Sequence, residues 1–416
     1  MNNFSINDHN HNLKYNLLHE FFWGFGVAFH TIYAVIPLFL KELSAPDYII
    51  VSSAGIFSFV VAFPTLFSAG IGRNIKDIKR AVILVHCIIL SVTFLMGFTF
   101  TFFDSELVGM AWEVYLTYFI LYAFSIGIIV PIWTDFLNQT TLGSHRGRFF
   151  GLGFAFNSIG SFIGGITLKY LLSFEIEFPK NFGIGFFILF FSLMIGTILF
   201  LPFRIKGKIS SKDYIPFSEY IAKTLEIVKG HKNFHRYLIS RVFYSSCLPG
   251  LGLYAVYCQD KFNFELSEAG VFTVITVLSA AISSFFSGKF GDRYGHKNAM
   301  LLAYWGHLIA AFITILSWNM FSVYLVFIAV GIGQGAFMPS AMNLIYDFSS
   351  KRDVKTYMAL VDSILAPFIL FYIVLIGWLV DNGNYELSLK ILIGSLMIGI
   401  LSLVYLVDDP RKEKFM

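Results

Sequence analysis

Charged side chains are scarce in this chain. Lys, Arg, Asp and Glu make up 13% of its 416 residues, where a soluble protein carries roughly 25%. Cysteine is scarcer still. Cys87, Cys247 and Cys258 form an odd trio inside apolar segments, with no disulfide framework and no metal-ligand spacing. The nucleotide loop Gly-x-x-x-x-Gly-Lys-[Ser/Thr] is absent, which argues against direct use of ATP by this chain, and His-Glu-x-x-His is absent too. A net charge of +4 is too small to signal nucleic acid as a partner. No metal or other cofactor is implied.

What is present is apolar: 56% of the residues are hydrophobic and 18% aromatic. A single core cannot hide that much apolar surface, so lipid is the expected solvent for much of it. The first sixteen residues, "MNNFSINDHNHNLKYN", are polar. The run after them is too long for a signal-peptide core and lacks a small-residue cleavage site, so it reads as a retained span. At about 20 residues per spanning helix, twelve runs qualify: approximately 17–40, 48–71, 81–103, 107–137, 149–172, 181–203, 236–258, 268–290, 299–317, 320–346, 355–380 and 387–407. They are continuous rather than alternating, which favours helices over a barrel. The expected fold class is an all-α polytopic membrane protein of twelve transmembrane helices.

Orientation follows from the basic residues. With the N-terminus in the cytoplasm, inside connections hold 24 of the 30 Lys and Arg, outside connections hold Lys41, Lys169, Lys180, Lys261 and Lys390, and Arg241 falls within span seven. Both termini are therefore expected in the cytoplasm. The longest connection divides the chain into an N-terminal six-helix half (1–203), a linker (204–235) and a C-terminal six-helix half (236–416). Within the linker, "DYIPFSEYIAKTLEIVKGHKNF" reads as an amphipathic surface helix. The halves look like repeats: "IYAVIPLFLKELS" (32–44) and "LYAVYCQDKFNFELS" (253–267) share Tyr-Ala-Val at a shift of 221, and "GIIVP" (127–131) and "GAFMP" (335–339) share Gly-x-x-x-Pro at a shift of 208.

"SGKFGDRYGHKNAM" (287–300) is a charged knot between spans eight and nine. Its pattern Gly288-x-x-x-Asp292-Arg293-x-Gly295-x-Lys297 resembles the loop motif of the major facilitator superfamily, which that family places between spans two and three and again between eight and nine. The counterpart "AGIGRNIKDIKRAV" (69–82) departs from it, with Arg73 in the place of the Asp. Asp135 at the end of span four and Arg146-Gly147-Arg148 at the start of span five resemble elements of bacterial members. The resemblance implies two pseudo-symmetric halves, a cytoplasmic latch built on these residues, and a central cavity lined by spans one, four, seven and ten.

A polar side chain inside the membrane is costly and so is a functional candidate by default. On this ground and on the implied cavity, the candidate substrate-binding residues are His30, Tyr33, Tyr244, Tyr254, Gln334 and Asn343. His30 doubles as a candidate proton carrier, and Asp362 in span eleven is the candidate for proton coupling, because a carboxyl in apolar surroundings can take up a proton. The shift of 221 places Glu20 and Arg241 at equivalent positions, which suggests an ion pair closing the cytoplasmic mouth. Snorkelling of Arg241 and plain positive-inside anchoring by residues 287–297 are the structural alternatives. Pro249-Gly250 is expected to break span seven, and the glycines of span ten to permit close packing.

The functional expectation is a secondary active transporter, a permease of the inner membrane that moves a small solute by alternating access. Protons are the default coupling ion, symport and antiport are both open, and a monomer embedded in lipid is expected. A lipid flippase of the same fold, a membrane-embedded lipid-modifying enzyme and a sensor are the alternatives. The enzyme would need clustered catalytic groups at one interface, and none stands out.

Overall fold

A computed structural model describes residues 4–72, 75–102, 109–142, 145–205, 226, 230–349 and 354–411. Among these residues the chain is helical with no β-strand. This is the expected outcome where lipid offers backbone groups no hydrogen bonds and each segment must satisfy its own. The helices are α1 (Ile6–Val27), α2 (Val35–Glu42), α3 (Asp47–Gly72), α4 (Ile78–Thr101), α5 (Ala111–Thr140), α6 (Arg146–Ser173), α7 (Lys180–Ile198), α8 (Lys232–Tyr244), α9 (Cys247–Phe262), α10 (Glu268–Tyr294), α11 (His296–Leu316), α12 (Met320–Phe348), α13 (Val354–Asp381) and α14 (Tyr385–Tyr405). Eleven stretches among the described residues are long and apolar enough to cross a membrane, and the chain is a multi-pass membrane protein. The linker helix expected within 204–235 falls largely outside the described residues.

Spans one and seven are each broken in two. In span one a single 3-10 turn, Ala28–His30, leads to Thr31 in extended backbone before α2 begins, and Pro37 is the third residue of α2. In span seven the break falls at Ser245–Ser246, and Pro249 is the third residue of α9. Proline lacks the N–H that would bond the carbonyl four residues back, and its ring crowds that carbonyl, so the break lies upstream of Pro249 rather than at it. Short bonds from Leu248 N to Ser245 O (3.1 Å) and from Ser246 N to Phe243 O (3.4 Å) bridge the gap. Neither piece of span seven is long enough to cross a bilayer by itself, at 13 and 16 residues.

Helix α1 starts eleven residues before the apolar run expected there. Ser5 and Asp8 form a capping box at its N-terminus, Ser5 Oγ accepting from Asp8 N and Asp8 Oδ2 from Ser5 N. Hydropathy misses this turn because His9, Asn12 and Asn16 are polar yet buried.

The described chain packs as two compact units, one comprising Met1–Thr31, Val60–Ile215 and Leu266–Val274, the other Ile32–Phe59, Pro216–Glu265 and Ile275–Met416. In the first, α1 and α6 approach closely: a Cβ built on Gly24 or Gly160 would overlap the backbone of the facing helix. In the second, Ser52 Oγ donates to the carbonyl of Ile373 at 3.3 Å, and Lys41 pairs with Asp260.

Two hydrogen-bond arrangements recur in both units, their side chains related by the shift of 221 read in the sequence and their backbone partners by shifts of 204 and 203. Asn12 Nδ2 donates to the carbonyl of Arg204 (2.7 Å), and Arg204 N donates back to Asn12 Oδ1 (2.8 Å). Asn233, 221 residues later, makes the same reciprocal clamp on Asp408, at 3.0 and 2.9 Å. Likewise His19 Nδ1 bonds the carbonyl of Gly196 (3.0 Å), while Ser240 Oγ, again 221 residues later, bonds that of Gly399 (2.9 Å). Each clamp ties the start of one six-span stretch to the chain leaving its last helix. Asn12→Ala and Asn233→Ala are each expected to cost about 1–3 kcal/mol, read as comparable falls in the thermal midpoint of the detergent-solubilised protein. A fall in only one of the two would contradict their equivalence.

Candidate functional site

In the first unit four helices bring polar groups together inside apolar surroundings. His19, Glu20 and Trp23 of α1, His86 of α4, Trp133 of α5 and Asn157 of α6 line a cavity of about 210 Å³. Asn157 Nδ2 donates to Glu20 Oε2 at 3.1 Å. Glu20 is 6% exposed, and no basic side chain among the described residues pairs with it. The two imidazoles are oriented by backbone: His19 Nδ1 lies 3.0 Å from the carbonyl of Gly196 and His86 Nδ1 2.7 Å from that of Val82. A carbonyl only accepts, so each neutral ring carries its proton on Nδ1 and keeps Nε2 as a lone-pair acceptor. Trp133 Nε1 is buried with no hydrogen-bond partner. Of these six, Glu20 alone was a candidate from sequence. His86, a lone polar residue in the middle of an apolar run, carried the signal that would have found the rest.

His30 lies elsewhere in the same unit. Its Nε2 is 2.9 Å from Tyr115 Oη, and the rings of Phe119, Tyr122 and Phe186 surround it at centroid distances of 5.8, 4.6 and 5.8 Å. These partners come from α5 and α7, and at 2% exposure the imidazole is enclosed by helix packing. Asp135 accepts from Gln139 Nε2 at 3.2 Å within α5. Arg148 is exposed at the start of α6; the side chain of Arg146 lies outside the described residues, as does that of Arg73.

The second unit gathers the other candidates around Arg241. This residue is 8% exposed; its Nη1 donates to Tyr237 Oη at 3.1 Å, and its guanidinium carbon lies 4.6 Å from the ring centroid of Phe337. Tyr244 stacks on Phe337 at 5.3 Å and packs on Tyr304 at 4.2 Å. A guanidinium held over desolvated aromatic faces gains up to about 2 kcal/mol from each. Asp362 of α13 is exposed although α13 is an apolar helix. The structure thus brings Arg241 and Tyr244 together, the guanidinium carbon 5.9 Å from the Tyr244 ring centroid, and among the described residues no hydrogen bond or ion pair joins Asp362 to them. Tyr33 and Tyr254 are buried in the same unit, and Tyr254 Oη has no hydrogen-bond partner. Gln334 is half-buried on α12, and the Asn343 amide donates to the carbonyl of Pro339 in its own helix at 2.9 Å. Gly331 and Gly335 face the backbone of α10 at contact range, and Gly333 faces the His307 ring of α11.

The charged knot ends α10 and starts α11. Asp292 and Arg293 are exposed; His296 Nε2 lies 3.8 Å from Asp292 Oδ1, and Lys297 Nζ donates to the carbonyl of Val404 at 3.0 Å. The grip on the turn comes from the C-terminal segment. Arg411 Nη1 donates to the carbonyls of Gly291 (3.3 Å) and Asp292 (3.2 Å), while its Nη2 pairs with Asp409 at 3.3 Å. Gly295 has φ 104°, in the region that favours glycine, and a Cβ there would stand 2.5 Å from Asp409 Oδ2 and 2.6 Å from Arg411 Nη2. Gly288 faces open space.

Residues 237–415 match the family model of the Major Facilitator Superfamily. No curated protein matches the chain in sequence. Among solved structures, a POT family transporter in complex with a thioalcohol-conjugated peptide superposes with a TM-score of 0.72 at 12% identity, covering 95% of each chain. A D-xylose-proton symporter gives 0.72 at 12% identity, with 96% of this chain and 98% of that one covered. The nucleoside transporter NupG gives 0.68 at 12% identity, with 95% and 99% covered. At such identities the likeness establishes the fold.

The staple on the knot predicts an ordering among glycines. Gly295→Ala should lower thermal stability and loosen the Arg411 contact, Arg411→Ala should do the same, and Gly288→Ala should be near neutral. Melting of the three purified variants checks this, and equal effects at 288 and 295 would contradict it.

Proposed function

We propose that the chain is a transporter of the Major Facilitator Superfamily type, whose family model matches residues 237–415, and that it is a secondary active transporter moving a small solute by alternating access. The observation that carries this reading is the repeated half. The same asparagine clamp and a similar helix-to-helix bond recur, with side chains 221 residues apart and partner carbonyls 204 and 203 apart, and duplicated halves are the architecture on which alternating access operates. Buried polar groups inside spanning helices add support, since such groups are costly in lipid unless a solute or ion uses them.

In this reading the two polar clusters are the functional parts of their units. Asp362 carries the coupling proton; Tyr244, Tyr254, Tyr33, Gln334, Asn343 and His30 are the proposed contributors to substrate binding or its support. The turn made by Gly288, Asp292, Arg293, Gly295 and Lys297, with Asp135, Arg146 and Arg148, serves gating. The proposed location is the cytoplasmic membrane, and the distribution of Lys and Arg supports an orientation with both termini in the cytoplasm.

A thermal-shift screen of the purified protein against metabolite classes, followed by uptake into proteoliposomes, tests the proposal. Uptake of a stabilising solute should exceed that of protein-free vesicles and rise with an imposed proton gradient. Asp362→Asn should lose the gradient dependence while retaining solute exchange. Gradient dependence intact in Asp362→Asn would remove that residue from coupling, and no protein-dependent uptake of any solute would overturn the transporter reading.

A further inference from the structure

The chemistry of the first unit's cavity specifies a ligand class. Its polar groups are dominated by acceptors. Asn157 donates to Glu20 Oε2, and among the described residues no hydrogen bond to Oε1 is present. His19 and His86 each engage the backbone through Nδ1 and leave Nε2 as a lone pair. Trp23 and Trp133 add two indole rings to the walls, and indole is the strongest aromatic partner for a cation. Against these acceptors stands one unused donor, Trp133 Nε1–H.

Among the described residues no cation of the protein answers them. Glu20 is buried with no basic partner there, and a cation entering the cavity would supply the partner that a buried carboxylate requires. A metal ion does not fit the site, since no three His, Cys, Asp or Glu among the described residues stand together as ligands. The repeat supplies an internal comparison. At the position equivalent to Glu20, the second half carries Arg241, a cation lying 4.6 Å over the ring of Phe337 and bonded to Tyr237. There the protein fills the aromatic site with its own cation; here it supplies the carboxylate and the aromatic walls and leaves the cation out.

We propose that the cavity between α1, α4, α5 and α6 binds a small organic cation, a substituted ammonium ion seated on Glu20 between the rings of Trp23 and Trp133. As an assignment of substrate class this rests on the transport reading above; as a binding site it stands on the cavity itself. The volume, about 210 Å³, sets a small size for the ligand, a compact cation rather than an extended one.

Choline has that size and charge, and dimethylbutanol is its uncharged isostere. Titration calorimetry of the purified full chain with choline, tetramethylammonium and dimethylbutanol separates charge recognition from shape. The two ammonium ions should bind and the neutral isostere should bind at least about tenfold more weakly. Glu20→Gln, which retains the Asn157 contact, should lose affinity at least about tenfold. Trp23→Leu and Trp133→Leu should each lose several-fold, with Phe at either position recovering part of it. Equal binding of choline and its isostere, full affinity in a folded Glu20→Gln protein, or no binding of either ammonium ion would overturn the proposal. Uptake of a neutral or anionic solute without ammonium binding would overturn the site and leave transport standing. Glu20-dependent ammonium binding with no uptake of any solute would do the reverse.

Discussion

Taking a polar group out of water into lipid costs more than any single packing contact returns, so every such group must find a partner within the protein. This constraint shapes both units. The backbone satisfies itself as helix, the two broken spans bridge their gaps with tighter turns, and the buried asparagines Asn12 and Asn233 use donor and acceptor together on one peptide group. Where a polar side chain sits deep in the bundle it is in most cases either fully engaged, as Ser240 is on Gly399 and Tyr304, or it lines a space; Tyr254 Oη, without a partner among the described residues, is an exception. Glu20, His19 and His86 are of the second kind.

The repeat makes that difference interpretable. Two helices descended from one pattern keep their structural bonds in place, His19 on Gly196 and Ser240 on Gly399. One residue further along, the two halves diverge to opposite charges, Glu20 and Arg241. Positions that hold the fold have stayed equivalent, while the neighbouring position has become specific to each half. The second half surrounds its charge with aromatic faces and the Tyr237 hydroxyl; the first relies on an amide and an open cavity.

Much of the fold was legible because long apolar runs leave one solution in lipid. Span ten, read as 320–346, is Met320–Phe348. Span one was misjudged at its start because the turn carrying His9, Asn12 and Asn16 is polar by composition and buried by partnership, a distinction hydropathy does not contain. Proline marked the break in span seven but displaced it by four residues, since the effect of proline falls on the carbonyl behind it. The candidate site was harder to read. Arg241 and Asp362 were recognisable as charges in apolar runs, and the shift of 221 led to Glu20. The cavity around Glu20 required α4, α5 and α6 to bring His86, Trp133 and Asn157 to it, and that convergence is a tertiary fact. In the charged knot the motif residues were legible, whereas the grip of Arg411 on the turn comes from a segment more than a hundred residues away.

The central claim is that the chain is a carrier, and solute counterflow tests it before any substrate is identified. Proteoliposomes loaded with an unlabelled extract of small metabolites are placed in an isotope-labelled extract, and the labelled solutes inside are followed by mass spectrometry. The account predicts that one solute, or a few of one chemical class, accumulates transiently above its outside level only when the protein is present. Entry of every labelled solute at the rate of protein-free vesicles would contradict it.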